Sequence, residues 1–156
     1  MHTYVLKDIN DEWLVSLGEF LQKKGKKRIV IDSWGGTTWY GTLMIEAIND
    51  AKDVVVVWTD MSSMAFRIFQ AVNKPRMLVD GARGMAHVAA IEWLTVKHNK
   101  MMWYEQTALI DSMCQMRQPD CSFMTEDELD RYNKGEDVYF TFNRLKEIFP
   151  DAEVIY

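Results

Sequence analysis

Two residues of this 156-residue chain combine types and spacing that suit nucleophilic catalysis. Ser63 follows the apolar run Val54–Trp58 and begins a predicted helix, and His87 comes two dozen residues later. A serine becomes a nucleophile when a base takes its proton, and a helix N-terminus favours the negative charge that develops. Each residue alone has an ordinary explanation, because serines cap helices and histidines occur in cores. Together they are candidates for a serine nucleophile and its histidine base.

The pair Gly35-Gly36 is a second feature that could do chemistry. It follows the β-branched segment Arg28–Ser33, and glycines at such a junction permit positive φ and leave backbone N–H groups free. Those groups can bind a phosphate or an oxyanion, although a tight turn is the simpler explanation of the pair alone. A P-loop is excluded, because no Gly-Lys-Ser/Thr follows. We expect the N–H of Met64, directly after Ser63, to point toward the same space.

The elements that must position these residues alternate between strands and helices. Alternation of this kind predicts an α/β protein with a mostly parallel sheet. In chain order we predict a strand at Tyr4–Leu6, a helix with an apolar stripe from Trp13 to Leu21, a strand at Arg28–Ser33, a helix from Thr37 or Thr38 to Asp50, a strand at Val54–Trp58, a turn at Thr59–Ser62, a helix from Ser63 to Ala71 and a strand at Arg76–Val79.

The second half of the chain predicts fewer strands. A long helical stretch runs from after His87 to about Met116, and Thr125–Glu128 resembles a capping box for a short helix ending at Gly135. In the last part we predict a strand at Val138–Phe140, a helix at Asn143–Phe149 and a strand at Ala152–Tyr156. We find no internal repeat or linker, so we expect one domain.

The composition narrows the functional classes. The net charge is −5, which does not favour general binding to nucleic acid or to acidic membranes. No apolar run approaches the roughly 18–20 residues that cross a bilayer, and Lys7, Asp8 and Asp11 interrupt the N-terminus before a signal peptide could form. The two cysteines, Cys114 and Cys121, suggest neither a metal site nor a disulfide framework. We therefore expect a cytoplasmic protein that binds neither nucleic acid nor a membrane.

These features, in this order, resemble the ClpP family of serine peptidases. Arg28–Gly41 is similar to the family's strand, Asn-Ser-Pro-Gly-Gly turn and following helix. Ser62–Phe66 occupies the place of Ala-Ser-Met-Gly-Ala, and Met85–His87 that of the histidine motif. The start, Tyr4–Asp11, is similar to the family's first strand and polar turn. The resemblance covers about residues 3 to 90 in register and continues loosely to about 139.

The resemblance implies a role for each matching residue. It makes Ser63 the nucleophile, His87 the general base, and the N–H groups of Gly36 and Met64 the oxyanion hole. It implies no metal and no cofactor.

The third member of the implied triad is an aspartate whose place is less clear. The family's aspartate lies shortly before a helix start that Phe123–Leu129 matches, and this points to Asp120 with one inserted residue. Asp111 and Asp127 remain alternatives.

The resemblance also implies a fold and partners. We expect a ClpP/crotonase-like single domain over residues 1–156, with a core at about 3–90 and a shortened handle and C-terminal elements at about 91–156. The implied activity is that of an endopeptidase subunit in a homo-oligomeric, heptamer-like ring, acting on peptides or unfolded proteins. The chain has no Walker motif, so an AAA+ unfoldase would be a separate protein.

Departures from the family pattern leave two alternatives open. Trp34 replaces the proline before Gly-Gly, Val88-Ala89 replaces the residues after the histidine, and the interval from His87 to Asp120 is short. One alternative is a catalytically silent subunit that modifies a host or paralogous protease ring. The compact sequence suggests a viral or otherwise reduced member of the family, which fits this alternative. The other is a crotonase-type acyl-CoA enzyme, because that superfamily shares the fold and a two-amide oxyanion hole.

Overall fold

The computed structural model describes residues 1–87 and 121–156. In chain order these residues form β1 (His2–Leu6), α1 (Asp11–Leu21), β2 (Lys27–Ser33), α2 (Thr38–Asp50), β3 (Val54–Ser62), α3 (Met64–Ala71), β4 (Arg76–Ala86), α4 (Glu126–Asn133), β5 (Val138–Phe140), α5 (Phe142–Ile148) and β6 (Glu153–Ile155). The long helix predicted after His87 lies outside the described residues.

A six-stranded sheet joins these elements, and four of its strands follow the order β1-β2-β3-β4 with parallel pairing. On the far side of β4, β5 pairs antiparallel and β6 pairs parallel. Helices connect the parallel strands, because a parallel neighbour requires the chain to return across the sheet. The predicted α/β class with a mostly parallel sheet is confirmed. No helix in the two described ranges is both long enough and apolar enough to span a membrane.

The core gathers around the aromatic side chain of Trp58 in the middle of β3. Its ring packs edge-on against Phe66, Phe69 and Phe149 at centroid separations of 5.2, 4.3 and 5.3 Å. The indole N–H donates to the carbonyl of Arg83 over 2.9 Å, so the one polar atom of the buried ring has a partner. This cluster fixes α3 and α5 against β3 and β4, the two strands that lead into the candidate site.

Two strands are longer than the sequence predicts. The predicted turn at Thr59–Ser62 is wrong, because β3 continues to Ser62 and pairs with both β2 and β4. Likewise β4 runs to Ala86 rather than ending at Val79, with pairing partners in both β3 and β5. Hydrogen bonds from neighbouring strands stabilise these extensions, and local patterns do not report such bonds. Because of them, Ser63 and His87 each directly follow the end of a strand.

The predicted capping box at the start of α4 is confirmed. The Glu128 N–H donates to Thr125 Oγ1 over 3.2 Å, and the Thr125 N–H donates to Glu128 Oε1 over 2.9 Å. The same carboxylate accepts from Arg144 of α5 at 2.7 Å, and Arg144 also donates to the Phe123 carbonyl at 2.8 Å. The box and this ion pair together hold α4 and α5 in place on either side of β5.

Candidate active site

Ser63 joins β3 directly to α3 in a backbone conformation that is unusual for a serine. Its φ is 60° and its ψ is −123°, and such positive-φ residues cost free energy that the surrounding structure must offset. Its N–H donates to the Met85 carbonyl of β4 over 2.9 Å, and its carbonyl accepts from Arg67 in α3 over 3.2 Å. The Ser63 side chain makes no capping hydrogen bond. The ordinary explanation of a helix-start serine, that it caps the helix, therefore does not hold here.

The Ser63 hydroxyl instead contacts His87. Oγ lies 2.6 Å from His87 Nε2, a short hydrogen bond between two residues 24 positions apart. The contact follows from the sheet, since Ser62 pairs with Met85 at the ends of two parallel strands. When the imidazole carries its proton on Nδ1, Nε2 can accept the hydroxyl proton, as a general base requires.

Gly35 brings a second backbone segment against the serine. An added Cβ at Gly35 would lie 2.8 Å from Ser63 Cβ and 2.9 Å from the Ser62 carbonyl oxygen, and Gly35 has a φ of +108°. Only glycine accommodates both the approach and the conformation. The Gly35 N–H donates to Ser33 Oγ over 3.1 Å, which holds the turn in place. The paired glycines are thus explained by proximity to Ser63 as well as by the turn.

The two predicted oxyanion-hole amides, those of Gly36 and Met64, directly follow Gly35 and Ser63 in the chain. At Gly36 an added Cβ would overlap the Ile9 carbonyl oxygen, so its backbone packs directly on the β1–α1 connection. Met64 begins α3, and its side chain lies so close to Gly41 of α2 that an added Cβ there would come within 2.5 Å of Met64 Cγ. Within residues 1–87 and 121–156, the N–H groups of Gly36 and Met64 donate to no protein acceptor. No acceptor from these two ranges therefore competes with a bound oxygen atom for either N–H group.

The three aspartates predicted for the third position differ in whether the structure describes them. Asp120 and Asp111 lie outside the described residues. Asp127 is on α4, where its side chain is 80% exposed and pairs with Arg131 at 3.2 Å. Within the described ranges, the carboxylate beside the imidazole is that of Asp137, whose Oδ1 lies 3.5 Å from His87 Nδ1.

Sequence reasoning missed Asp137. The residue precedes the predicted strand Val138–Phe140, but nothing local marks it as part of a site. Its one signal is tertiary: β5 pairs with the end of β4, where Val138 lies opposite Ala86 and Asp137 therefore comes level with His87.

Comparison with known proteins yields a match in structure alone. No family model matches the chain, and no curated protein matches its sequence. A solved structure, that of a ClpP1 mutant from Listeria monocytogenes, matches 99% of this chain and 91% of its own, with a TM-score of 0.66 and 18% sequence identity. The fold is that of ClpP.

The ClpP-like fold agrees with the resemblance found in the sequence. Within this fold, the Ser63–His87 contact lies at the ends of β3 and β4. One local departure is prominent beside the site. Trp34, which stands in the family's proline position, is 88% exposed directly before Gly35. Among the described residues, no group of three or more His, Cys, Asp or Glu side chains is placed to hold a metal ion.

Proposed function

We propose that this chain is a serine peptidase subunit in which Ser63 is the nucleophile and His87 the general base. The contact of 2.6 Å between Ser63 Oγ and His87 Nε2 carries the proposal. A chance contact between a serine and a histidine would not explain two further features of Ser63. Its backbone conformation is strained, and its side chain does not cap the helix that it begins. Strained residues that the surrounding structure holds in place concentrate at active sites.

The contact supports acyl transfer in two steps. His87 Nε2 takes the proton of Ser63 Oγ as that oxygen attacks a peptide carbonyl, and it then returns the proton to the departing amine. The same nitrogen then takes a proton from water as the water attacks the acyl-enzyme, and it returns that proton to Ser63 Oγ as the acid product leaves. Acylation and deacylation each begin with a neutral imidazole whose lone pair is on Nε2.

The N–H groups of Gly36 and Met64 would stabilise the tetrahedral intermediate. Both lack a protein acceptor in the part of the chain that the structure describes, and Met64 lies at the positive end of the α3 dipole. In other enzymes, removing one oxyanion-hole donor costs about 3–4 kcal/mol of transition-state stabilisation.

The substrate would be a peptide or an unfolded protein, and the subunit would work in a homo-oligomeric, heptamer-like ring in the cytoplasm. The ClpP-like fold supports this reading, as does the exposed indole of Trp34 beside Gly35, which offers an apolar contact to a substrate side chain or a neighbouring subunit. A separate AAA+ unfoldase would deliver folded substrates. Asp120 stays the sequence-based candidate for a third triad residue.

Labelling with a fluorophosphonate tests the proposal, because this reagent reacts only with an activated serine. We expect one adduct per chain by intact mass in the assembled protein, lost in Ser63→Ala and in His87→Ala. Ser62→Ala is the matched control, since it removes the neighbouring hydroxyl and should leave the adduct in place. An assembled ring with no adduct at Ser63 would overturn the proposal and favour the catalytically silent subunit.

A further inference from the structure

The carboxylate of Asp137 is held beside His87 by the pairing of β5 with β4. Ala86 lies opposite Val138 in this antiparallel pair, and the next residues outward are His87 and Asp137. The side chain of Asp137 is 47% exposed, and its Oδ1 lies 3.5 Å from His87 Nδ1. Ser63 contacts the other nitrogen of the same ring, so the imidazole lies between a hydroxyl and a carboxylate.

Buried neighbours fix the position of Asp137 along the chain. Val138 and Phe140 are buried in the core, and moving the strand by one residue would expose both. On the other side, the Gly135 N–H donates to the Tyr132 carbonyl over 3.0 Å, and Gly135 has a φ of +82°. The chain therefore leaves α4 and enters β5 with little freedom to shift Asp137 away from His87.

The other nearby carboxylates have other roles. Asp127 pairs with Arg131, and Glu128 pairs with Arg144. Asp137 has no lysine or arginine partner in the described ranges, and its carboxylate there lies within 4 Å of the imidazole. Its charge is thus not neutralised by a basic side chain of this part of the chain.

We propose that Asp137 is the positioning residue for His87, in place of the aspartate expected at Asp120. Its carboxylate accepts the Nδ1 proton, which fixes the tautomer whose Nε2 lone pair faces Ser63 Oγ. When Nε2 takes the serine proton, the same carboxylate stabilises the imidazolium. The catalytic meaning of this contact rests on the proposed function, but the contact itself can be measured without activity.

The tautomer of His87 provides that independent measurement. Long-range ¹H–¹⁵N spectra at about pH 8.5, where a histidine is ordinarily neutral, report which ring nitrogen carries the proton. We expect the proton on Nδ1 in the natural protein and a shift toward Nε2 in Asp137→Asn, because the amide can donate to Nδ1. Glu136→Gln removes a charge one residue away and should leave the tautomer unchanged. An unchanged tautomer in Asp137→Asn would overturn the inference.

The rate of fluorophosphonate labelling then tests the role in catalysis. Removing the carboxylate from a buried triad costs about 10⁴-fold in kcat, and we expect a smaller loss, about 10- to 100-fold, because Asp137 is half-exposed. Asp137→Glu should recover part of the rate, and melting temperature and native mass verify folding and assembly. A larger loss in Asp120→Asn than in Asp137→Asn would overturn the assignment. An Nδ1 tautomer in a protein that never labels would contradict the proposed function while leaving the Asp137 contact intact.

Discussion

Two helix starts in this molecule have the same kind of residue in the same position and use it differently. Thr125, before α4, closes a reciprocal capping box with Glu128. Ser63, before α3, makes no capping bond, has a φ of 60°, and directs its hydroxyl to His87 at 2.6 Å. Thr125 has the extended conformation usual for a cap, with a φ of −67° and a ψ of 164°.

The difference shows how a residue that stabilises a helix is distinguished from one that is proposed for chemistry. At Thr125 every polar group serves the helix, and the carboxylate of Glu128 also joins α4 to α5 through Arg144. At Ser63 the side chain makes no capping hydrogen bond and the backbone is strained, while the hydroxyl is held against the imidazole of His87. When one residue both lacks an expected stabilising interaction and has a conformation that costs free energy, the combination indicates function.

The largest effect, a slower rate of fluorophosphonate labelling, should come from Gly35→Ala. This substitution disturbs the helix start at Ser63 and leaves the one at Thr125 unchanged. The added methyl would press on Ser63 Cβ at 2.8 Å, and alanine disfavours the φ of +108°. Displacing reacting groups by about 1 Å can cost about 10²-fold in rate, and we expect at least that loss in fluorophosphonate labelling. Unfolding free energy should fall by about 1–3 kcal/mol in urea titrations.

Gly18→Ala is the matched control for this substitution. Gly18 lies inside α1, and beyond its chain neighbours and the backbone of its own helix no atom lies within 4 Å of an added Cβ. Alanine should therefore stabilise the protein by about 0.5–1 kcal/mol. Labelling should be unchanged in this variant. If Gly35→Ala labels as fast as Gly18→Ala, the close approach of Gly35 does not matter to the serine.

An intermediate effect, on the free energy of unfolding, should come from Glu128→Gln, which removes a charged partner of Arg144 beside the Thr125 helix start and leaves the Ser63 helix start unchanged. Burial disfavours the Glu128 carboxylate, but hydrogen bonds from Arg144 and Thr125 outweigh burial and hold its pKa below the usual range. A pKa lowered on folding stabilises the protein above the ordinary glutamate value, about 4.3, and this stabilisation is lost as the pH falls through the lowered value. Glu128→Gln should therefore cost about 1–3 kcal/mol at pH 7.

The pH dependence makes that prediction specific. The difference in unfolding free energy between the natural protein and Glu128→Gln should be constant above about pH 6 and shrink toward pH 3. Glu126→Gln, in the same first turn, is the control, because Glu126 has no part in the box or in the Arg144 pair. A difference that grows on acidification would contradict the assigned sign.

The smallest effect, and the most direct comparison, comes from the two cap positions themselves. Thr125→Ala should lower the unfolding free energy by about 1 kcal/mol, the usual loss for a cap. Ser63→Gly should change it by less than about 0.5 kcal/mol, because glycine relieves the positive φ while the bond to His87 is lost, and each term is about 1 kcal/mol. Urea titrations measure both. Equal losses in the two variants would mean that Ser63 also supports its helix.

Much of the fold can be predicted from the sequence, because the patterns that indicate its helices and strands are local. The strand at Arg28–Ser33 is β-branched, the helix after Gly35-Gly36 has an apolar stripe, and the capping box at Thr125–Glu128 is a short motif; each appears in the structure where it is predicted. Ser63 begins one predicted helix and His87 precedes another, and their spacing and order resemble a known family.

The sequence by itself thus determined the α/β class, most helices and strands, and the two residues proposed for chemistry. Only the tertiary structure decided the lengths of β3 and β4, the strain at Ser63 and the placement of Asp137 beside His87. The physical reason is that these features depend on pairing between distant strands. Asp137 and His87 are fifty residues apart in the chain and meet through the register of β4 and β5, which buried Val138 holds and which no local pattern reports.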